Sequence, residues 1–244
     1  MDDEFYMRQA LDLALLGMGN VSPNPMVGCV IVHENQVIGE GYHAVFGGPH
    51  AEVNAVQTVL EKYGEEAPAL LKNAIVYVTL EPCSHFGKTP PCADLLIKHQ
   101  VKKVVIGNID PFESVSGRGI SKLKEAGISV LTDVLAKESE FVNRRFFTRI
   151  IKQRPFIILK WAETADGYFA PITLSQKWIT GPAAKNLAQV WRGEEDSILV
   201  GKGTVLADNP RLTNRTEKGK NPIRIVIDRN LSLDEHHHVF DDAA

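Results

Sequence analysis

Long apolar runs are missing from this sequence. No stretch approaches the roughly 18 consecutive apolar residues of a membrane-spanning helix. The first four residues, Met1-Asp2-Asp3-Glu4, are acidic where a secretory leader would be apolar. The sequence therefore predicts no membrane partner, and we expect a cytoplasmic protein.

Cysteine is scarce and its count is odd. The three cysteines are Cys29, Cys83 and Cys92. An odd number without a leader does not suit a disulfide framework. In a reducing compartment, paired cysteines more often bind a metal or act in catalysis. Cys29 lies inside a predicted apolar strand, so we expect it to be a buried core thiol.

The sequence has no excess of positive charge, and aromatic side chains are few. The net charge is −3, and aromatic residues make up 7% of the chain. Nucleic-acid-binding proteins usually carry a basic patch and stack bases on aromatic rings. We therefore expect no nucleic-acid partner. A small anionic substrate remains compatible with this charge, because a single phosphate group needs few cations.

What the sequence does contain is an alternation of apolar strands and amphipathic helices, which is typical of an α/β layer structure. A cationic helical stretch that ends before Pro155 separates two such series, so we predict domains over 1–150 and 151–244. Helices are predicted at 4–18, 50–63, 92–99, 120–126, 136–152 and 182–193. Strands are predicted at 26–32, 36–42, 74–80, 101–109, 128–131, 156–161, 197–200 and 223–227.

Two short clusters flank the predicted strand 74–80 and contain zinc-binding side chains. His50, Cys83 and Cys92 make a set of three ligands, as in catalytic zinc sites that keep a fourth position for water. His50 and Cys92 fall at predicted helix starts, where partial positive charge favours a thiolate. Glu52, in the first turn of its helix, is placed to accept a proton from activated water.

This pattern of His-Ala-Glu and Pro-Cys followed by a second Cys is the signature of zinc deaminases. The spacing departs from the usual Cys-x-x-Cys, because residues 84–91 separate Cys83 from Cys92. One alternative is a structural zinc site with His85 as the fourth ligand. Another is a zinc deaminase that acts on a nucleoside or a nucleic-acid base.

Several segments resemble the bifunctional deaminase/reductase family of riboflavin biosynthesis, which has the same long spacing between its cysteines. They are residues 22–28, 41–43, 48–52 and 81–92 in the first half, and 160–162, 166–167, 175–179, 191–192, 204–210 and 222–228 in the second. Phe112 departs from the Asn usual in this family, and Thr164-Ala165 departs from Ser-Leu.

The resemblance implies a cytidine-deaminase-like α/β/α layer domain followed by a dihydrofolate-reductase-like α/β domain. The family's reductase half continues past the end of this sequence, so we expect a truncated second domain that does not oxidise NADPH. The implied first reaction is zinc-dependent hydrolytic deamination of 2,5-diamino-6-ribosylamino-4(3H)-pyrimidinone 5′-phosphate. NADPH then reduces the ribosyl chain to ribityl. We expect this phosphorylated pyrimidine as the partner, and a homo-oligomer.

The resemblance also implies roles for individual residues. His50, Cys83 and Cys92 would hold Zn²⁺, and Glu52 would shuttle protons. The deaminase substrate would contact Asn24, His43, His85 and Lys88. The NADPH side would involve Ala162, Trp178, Thr204 and Asp208, and the reductase substrate side Ser175, Arg192, Leu212 and Arg215. The alternatives are a plain turn residue for Asn24, a solvated cation for Lys88, and core positions for Trp178 and Leu212.

Overall fold

The chain divides into two compact units. A computed structural model of the protein describes residues 2–86, 90–112, 116–169, 178–216 and 219–242. The units are Met1–Phe156 and Ile157–Ala244, so the division falls a few residues after the boundary that the sequence predicts. Among the helices of the described ranges, none is long and apolar enough to cross a bilayer.

A five-stranded sheet forms the centre of the first unit, with the strand order β2-β1-β3-β4-β5. Its strands are β1 (Gly28–His33), β2 (Gln36–Tyr42), β3 (Ile75–Leu80), β4 (Lys103–Asn108) and β5 (Ser129–Leu131). β1 runs antiparallel to both β2 and β3, whereas β3, β4 and β5 are parallel. The carboxyl ends of β2, β3 and β4 therefore lie along the same edge of the sheet.

Helices cover both faces of this sheet. They are α1 (Asp3–Leu15), α2 (Ala51–Tyr63), α3 (Ala67–Asn73), α4 (Cys92–Lys98), α5 (Arg118–Glu125), α6 (Ala136–Val142) and α7 (Arg144–Lys152), with a 3₁₀ turn at Gly64–Glu66. Successive strand residues point to opposite faces. Val76 and Val78 accordingly pack with α2 to α5, and Tyr77 packs with α1 and α6. The result is an α/β/α arrangement with a hydrophobic core on each side.

Gly41 allows α2 to lie directly on β2. A Cβ atom at this position would stand 2.3 Å from the backbone nitrogen of Ala55 and 2.5 Å from the carbonyl oxygen of Ala51. Because real Cβ atoms do not approach backbone atoms so closely, only glycine fits without a shift of the helix. This contact sets the position of the first turn of α2, which carries Glu52.

Two predictions for the first unit differ from the structure. The predicted helix 136–152 is two helices, α6 and α7, which meet at Asn143. There the buried side chain of Asn143 accepts from the backbone N–H of Met26 and donates to its carbonyl, both at 2.8 Å. This tertiary contact breaks a stretch that is helical by propensity. Helix α3, over residues 67–73, was not predicted from the sequence.

The second unit contains α8 (Pro182–Glu194), β6 (Ser197–Gly201), α9 (Lys202–Asp208) and β7 (Ile223–Ile227), with a 3₁₀ turn at His238–Phe240. β6 and β7 form a two-stranded parallel sheet. Val205, Leu212 and Val239 are the buried residues of its small core. The strand predicted at 156–161 is wrong. This described segment has no regular secondary structure, and its backbone pairs with no strand of the two described sheets. Helix α9 was not predicted.

Candidate active site

Three side chains converge at the carboxyl edge of the first unit's sheet. His50 is the residue before α2, Cys83 follows the end of β3, and Cys92 is the first residue of α4. The Nδ1 atom of His50 lies 3.6 Å from the Sγ of Cys83 and 3.3 Å from the Sγ of Cys92. Within the described residues, this trio is the only His, Cys, Asp or Glu group that could hold a metal.

The spacing of these donors fits a tetrahedral zinc ion. Zn–S bonds of about 2.3 Å and Zn–N bonds of about 2.0 Å place a sulfur and a nitrogen ligand about 3.5 Å apart. All the candidate ligand atoms lie within 4.8 Å of one another. His85 does not belong to this group and is exposed, so the trio leaves a fourth position for water. This arrangement favours a catalytic site over a closed structural one.

The thiols and the imidazole hydrogen-bond with one another and shift one another's pKa values. A hydrogen bond with the Cys92 thiol, aided by His50, lowers the pKa of Cys83. The same hydrogen bond and burial raise the pKa of Cys92. The hydrogen bond with Cys83 raises the pKa of His50. The lowered pKa of Cys83 favours its thiolate, which is the form that binds a metal.

Glu52 is buried beside the trio, with only 3% of its surface exposed. Burial, together with the negative charge at Cys83, raises the pKa of Glu52 to about 7. A carboxyl group with a pKa near neutrality can accept a proton and return it without a large free-energy cost. The trio and Glu52 together are suited to hydrolysis in which water attacks and a protonated group leaves.

A chain of hydrogen bonds connects the site with Asn24. The Nδ1 of His43 lies 2.9 Å from the carbonyl oxygen of Pro49, which can only accept, so Nδ1 carries the proton. The Nε2 of His43 then accepts from the amide of Asn24 at 3.1 Å. The ring of His43 meets that of His50 edge-on, with centroids 5.6 Å apart. Burial lowers the pKa of His43, which keeps the ring neutral.

Comparison with known proteins agrees with this geometry. Residues 1–108 match the model of the cytidine and deoxycytidylate deaminase zinc-binding region, and residues 155–244 match the RibD C-terminal domain. The crystal structure of a diaminohydroxyphosphoribosylaminopyrimidine deaminase/5-amino-6-(5-phosphoribosylamino)uracil reductase from Thermotoga maritima is 42% identical. The match covers 99% of this chain and 68% of that one, with a TM-score of 0.92.

The chain belongs to the RibD family. The RibD protein of Actinobacillus pleuropneumoniae is 47% identical over 95% of this chain and 59% of the relative. RibD of Aquifex aeolicus is 46% identical, over 95% of this chain and 63% of the relative. The chain thus spans about three fifths of the length of these curated relatives. The predicted family is confirmed. So is the fold class, a cytidine-deaminase-like domain followed by a short dihydrofolate-reductase-like one.

The remaining candidates for the deaminase substrate lie between the two cysteines. His85 is exposed in the loop that follows Cys83. Lys88 lies outside the described residues. The structure thus brings Asn24 and His43 to the zinc site and leaves His85 at the surface of the connecting loop.

In the second unit, the candidate reductase residues are distributed over several segments. Burial lowers the pKa of Arg192, and the nearby positive charge of Arg215 lowers it further. The guanidinium group of Arg192 donates to the carbonyl of Thr213 at 3.4 Å. Leu212 is a core residue, which is the alternative that the sequence left open. Thr204 and Asp208 are exposed on α9, and Ala162 is half-buried. Trp178 is 67% exposed, and the Nζ of Lys185 lies 3.6 Å from the centroid of its ring. Ser175 lies outside the described residues.

Sequence reasoning assigned no role to three polar residues that the structure buries: Glu81, Asp110 and Asn143. Burial is the main cause that raises the pKa of Asp110 to about 6, and the neighbouring charge of Glu81 adds to it. A carboxylate directly after an apolar strand was a usable signal for Glu81, since a buried charge requires partners. No local pattern identifies Asn143, because its partner Met26 is far away in the sequence.

Proposed function

We propose that this chain is a zinc-dependent deaminase of riboflavin biosynthesis that acts on 2,5-diamino-6-ribosylamino-4(3H)-pyrimidinone 5′-phosphate. The observation that carries this proposal is the donor trio with tetrahedral spacing and a buried carboxyl group beside it. The RibD relatives support the choice of substrate, because the Thermotoga maritima protein is described as a deaminase of this pyrimidine.

The chain's own residues divide the chemistry among them. His50, Cys83 and Cys92 hold Zn²⁺, which supplies water activation when bound. Glu52 would carry both protons of the attacking water, one to the adjacent ring nitrogen and one to the ring amino group, which leaves as ammonia while the ring carbon becomes a carbonyl. Asn24 orients the pyrimidine edge through the amide atoms that His43 does not use. His85 and Lys88 contact the ribose and phosphate.

For the second unit we propose the N-terminal part of an NADPH-dependent reductase, with residues 1–150 as the deaminase domain and 151–244 as the reductase part. Ala162, Trp178, Thr204 and Asp208 face the cofactor in this proposal. The neighbouring guanidinium groups of Arg192 and Arg215 support a phosphate-binding role, since two cations held together repel each other without an anion. Ser175 and Leu212 complete the substrate side, with Leu212 acting from within the core.

The wider assignments belong to the same proposal. We propose a cytoplasmic homo-oligomer whose partner is a phosphorylated pyrimidine, without a nucleic-acid or membrane partner. The free thiols of the zinc site support a compartment that keeps cysteines reduced.

The test of the deaminase is the variant Glu52→Gln. It keeps the three metal ligands and removes the group that carries the proton, so zinc content should stay unchanged while ammonia release falls by a factor of about 10² or more. Metal analysis and an ammonia-release assay measure the two quantities. Glu61→Gln, an exposed change on the same helix, is the matched control and should keep full activity.

Retained ammonia release in Glu52→Gln would refute this mechanism.

A panel of substrates decides between the pyrimidinone phosphate and the rival deaminase classes. Ammonia release from cytidine, or from a single-stranded nucleic acid, without release from the pyrimidinone phosphate would overturn the substrate assignment and leave the zinc chemistry in place.

A further inference from the structure

We infer that Glu81 is a positioning residue for the zinc ligand Cys83, because it ties the loop that carries this ligand to the N-terminus of α5. The inference rests on the proposed zinc site. It concerns how the metal is held and does not depend on which pyrimidine is deaminated.

The carboxylate of Glu81 is buried and accepts four backbone hydrogen bonds. One oxygen accepts from the N–H groups of Gly119 at 2.9 Å and Ile120 at 3.3 Å. The other accepts from Gly117 at 2.9 Å and Asp110 at 3.3 Å. Only 4% of the residue is exposed. Three of these donors belong to the start of α5, whose unpaired N–H groups require acceptors and favour a negative charge.

A single residue separates Glu81 from Cys83. That residue is Pro82, whose ring fixes its φ angle. Because this short link has little freedom, a displacement of Glu81 also displaces Cys83. On its other side, Cys83 is held by α4. Its carbonyl oxygen accepts from the N–H of Ala93 at 3.1 Å, and its Sγ accepts from the N–H of Cys92 at 3.2 Å. Glu81 therefore supplies an attachment for this ligand that is separate from that of α4.

Direct packing reinforces the attachment to α5. A Cβ atom at Gly119 would stand 2.1 Å from the carbonyl oxygen of Pro82 and 3.2 Å from a carboxylate oxygen of Glu81. The first turn of α5 thus touches the backbone of the ligand loop, and no other residue type fits there without movement. The carboxylate of Glu81 and this close contact thus join the start of α5 to the ligand loop.

The test uses Glu81→Gln in the full chain. An amide keeps the size of the side chain, but its NH₂ group cannot accept the two hydrogen bonds that one carboxylate oxygen receives. We expect the zinc dissociation constant, measured by competition with a chelator, to rise about 10-fold or more, as is typical when a residue that supports a ligand is lost. We also expect the visible absorption spectrum of the Co²⁺-substituted protein to change, because these bands report the coordination geometry.

The matched control is Glu140→Gln, an exposed position on α6, which should leave both quantities unchanged. Circular dichroism sets a temperature at which every variant is folded. A lower melting temperature of Glu81→Gln with an unchanged zinc dissociation constant and Co²⁺ spectrum would overturn the inference, because Glu81 would then stabilise the fold alone. If Glu81→Gln does not fold, Gly119→Ala, which pushes on Pro82 from the helix side, must change the same spectrum, and an unchanged spectrum refutes the inference.

The outcomes also separate this inference from the proposed function. Wild-type protein that binds zinc but releases no ammonia from the pyrimidinone phosphate would refute the deaminase assignment and leave the metal-affinity test of Glu81 intact. Active wild-type protein with unaffected zinc binding in Glu81→Gln would refute the positioning role alone.

Discussion

At the scale of single residues, Asp3 shows how partners decide the behaviour of a carboxylate. It accepts from the hydroxyl of Tyr77 at 2.8 Å and from the Nζ of Lys103 at 2.9 Å, and so connects α1 with β3 and β4. Burial alone would raise the pKa of Asp3. The hydrogen bonds from Lys103 and Tyr77 outweigh burial and hold this pKa below its ordinary value.

We predict that Asp3→Asn destabilises the protein at pH 7 by about 1 kcal/mol, a value that allows for screening at a carboxylate that is about one-third exposed. The native pKa is lowered, so the stabilisation is complete above the unfolded-state pKa of about 3.9 and is lost as the pH falls through the native pKa. Urea unfolding between pH 7 and pH 3 measures it. A difference from wild type that does not shrink as the pH falls would contradict the prediction. Asp12→Asn, exposed on the same helix, is the control.

The cysteines show a second contrast between residues of one type. Cys29 is fully buried in the core, as predicted, and burial raises its thiol pKa. The Sγ atom of Cys83 hydrogen-bonds with the backbone N–H of Cys92 and with the imidazole of His50. The same side chain is thus a core residue in one place and a metal ligand candidate in another, because the neighbours differ.

At the level of secondary structure, the junction of α6 and α7 contacts the segment that carries Asn24. The side chain of Asn143, 1% exposed, pairs with both backbone groups of Met26. Arg149 on α7 donates to the carbonyl of Pro23 at 3.3 Å. These contacts hold the segment that includes Asn24 against the sheet. The helix pair lies outside the matched zinc-binding region, which ends at residue 108.

We predict that Asn143→Ala lowers the free energy of unfolding by about 2–5 kcal/mol, because it leaves a buried N–H and a buried C=O without partners. We also expect a higher KM for the pyrimidine and unchanged zinc content, since Asn24 moves while the metal ligands do not. Urea unfolding, steady-state kinetics and metal analysis measure the three effects. Asn73→Ala, at an exposed helix end, is the control. An unchanged KM in a clearly destabilised variant would show that Asn143 stabilises the fold but does not position Asn24.

Local patterns predicted most elements of the first unit because propensity and burial agree there. The hairpin of β1 and β2 has Glu34 and Asn35 at its turn, both with positive φ, as the polar pair in the sequence indicates. The helix over 136–152 was predicted without its break, because the competing contact to Met26 is tertiary. The strand over 156–161 was predicted from its apolar residues alone, and a strand also needs a partner.

At the scale of the whole molecule, the two units have separate cores. The buried residues of both core clusters in the first unit lie between Tyr6 and Val142, and those of the second unit between Val205 and Val239. The zinc ligand candidates, Glu52 and Glu81 all belong to the first unit. The described candidate residues of the proposed deaminase site, Asn24, His43 and His85 included, also belong to the first unit.

We predict that a chain ending at Phe156 folds, binds zinc and releases ammonia at a rate close to that of the full sequence, because the first unit has its own core and contains the candidate zinc ligands and Glu52. Metal analysis and the ammonia assay measure this, and the same shortened chain with Glu52→Gln is the control. A shortened chain that is folded by circular dichroism but binds no zinc would show that the second unit contributes to the site.

Local sequence was enough to predict the candidate zinc ligands and the candidate proton carrier. The identities of His50, Glu52, Cys83 and Cys92 are local facts, and short motifs around them were sufficient to recognise the family. The packed structure was needed to show what holds the residues around these groups: the start of α5 binds Glu81, His43 binds Asn24, and Asn143 binds Met26. A buried polar group finds its partner through packing, which brings distant parts of the chain together. In this chain those partners lie up to 117 residues away, beyond the reach of any local pattern.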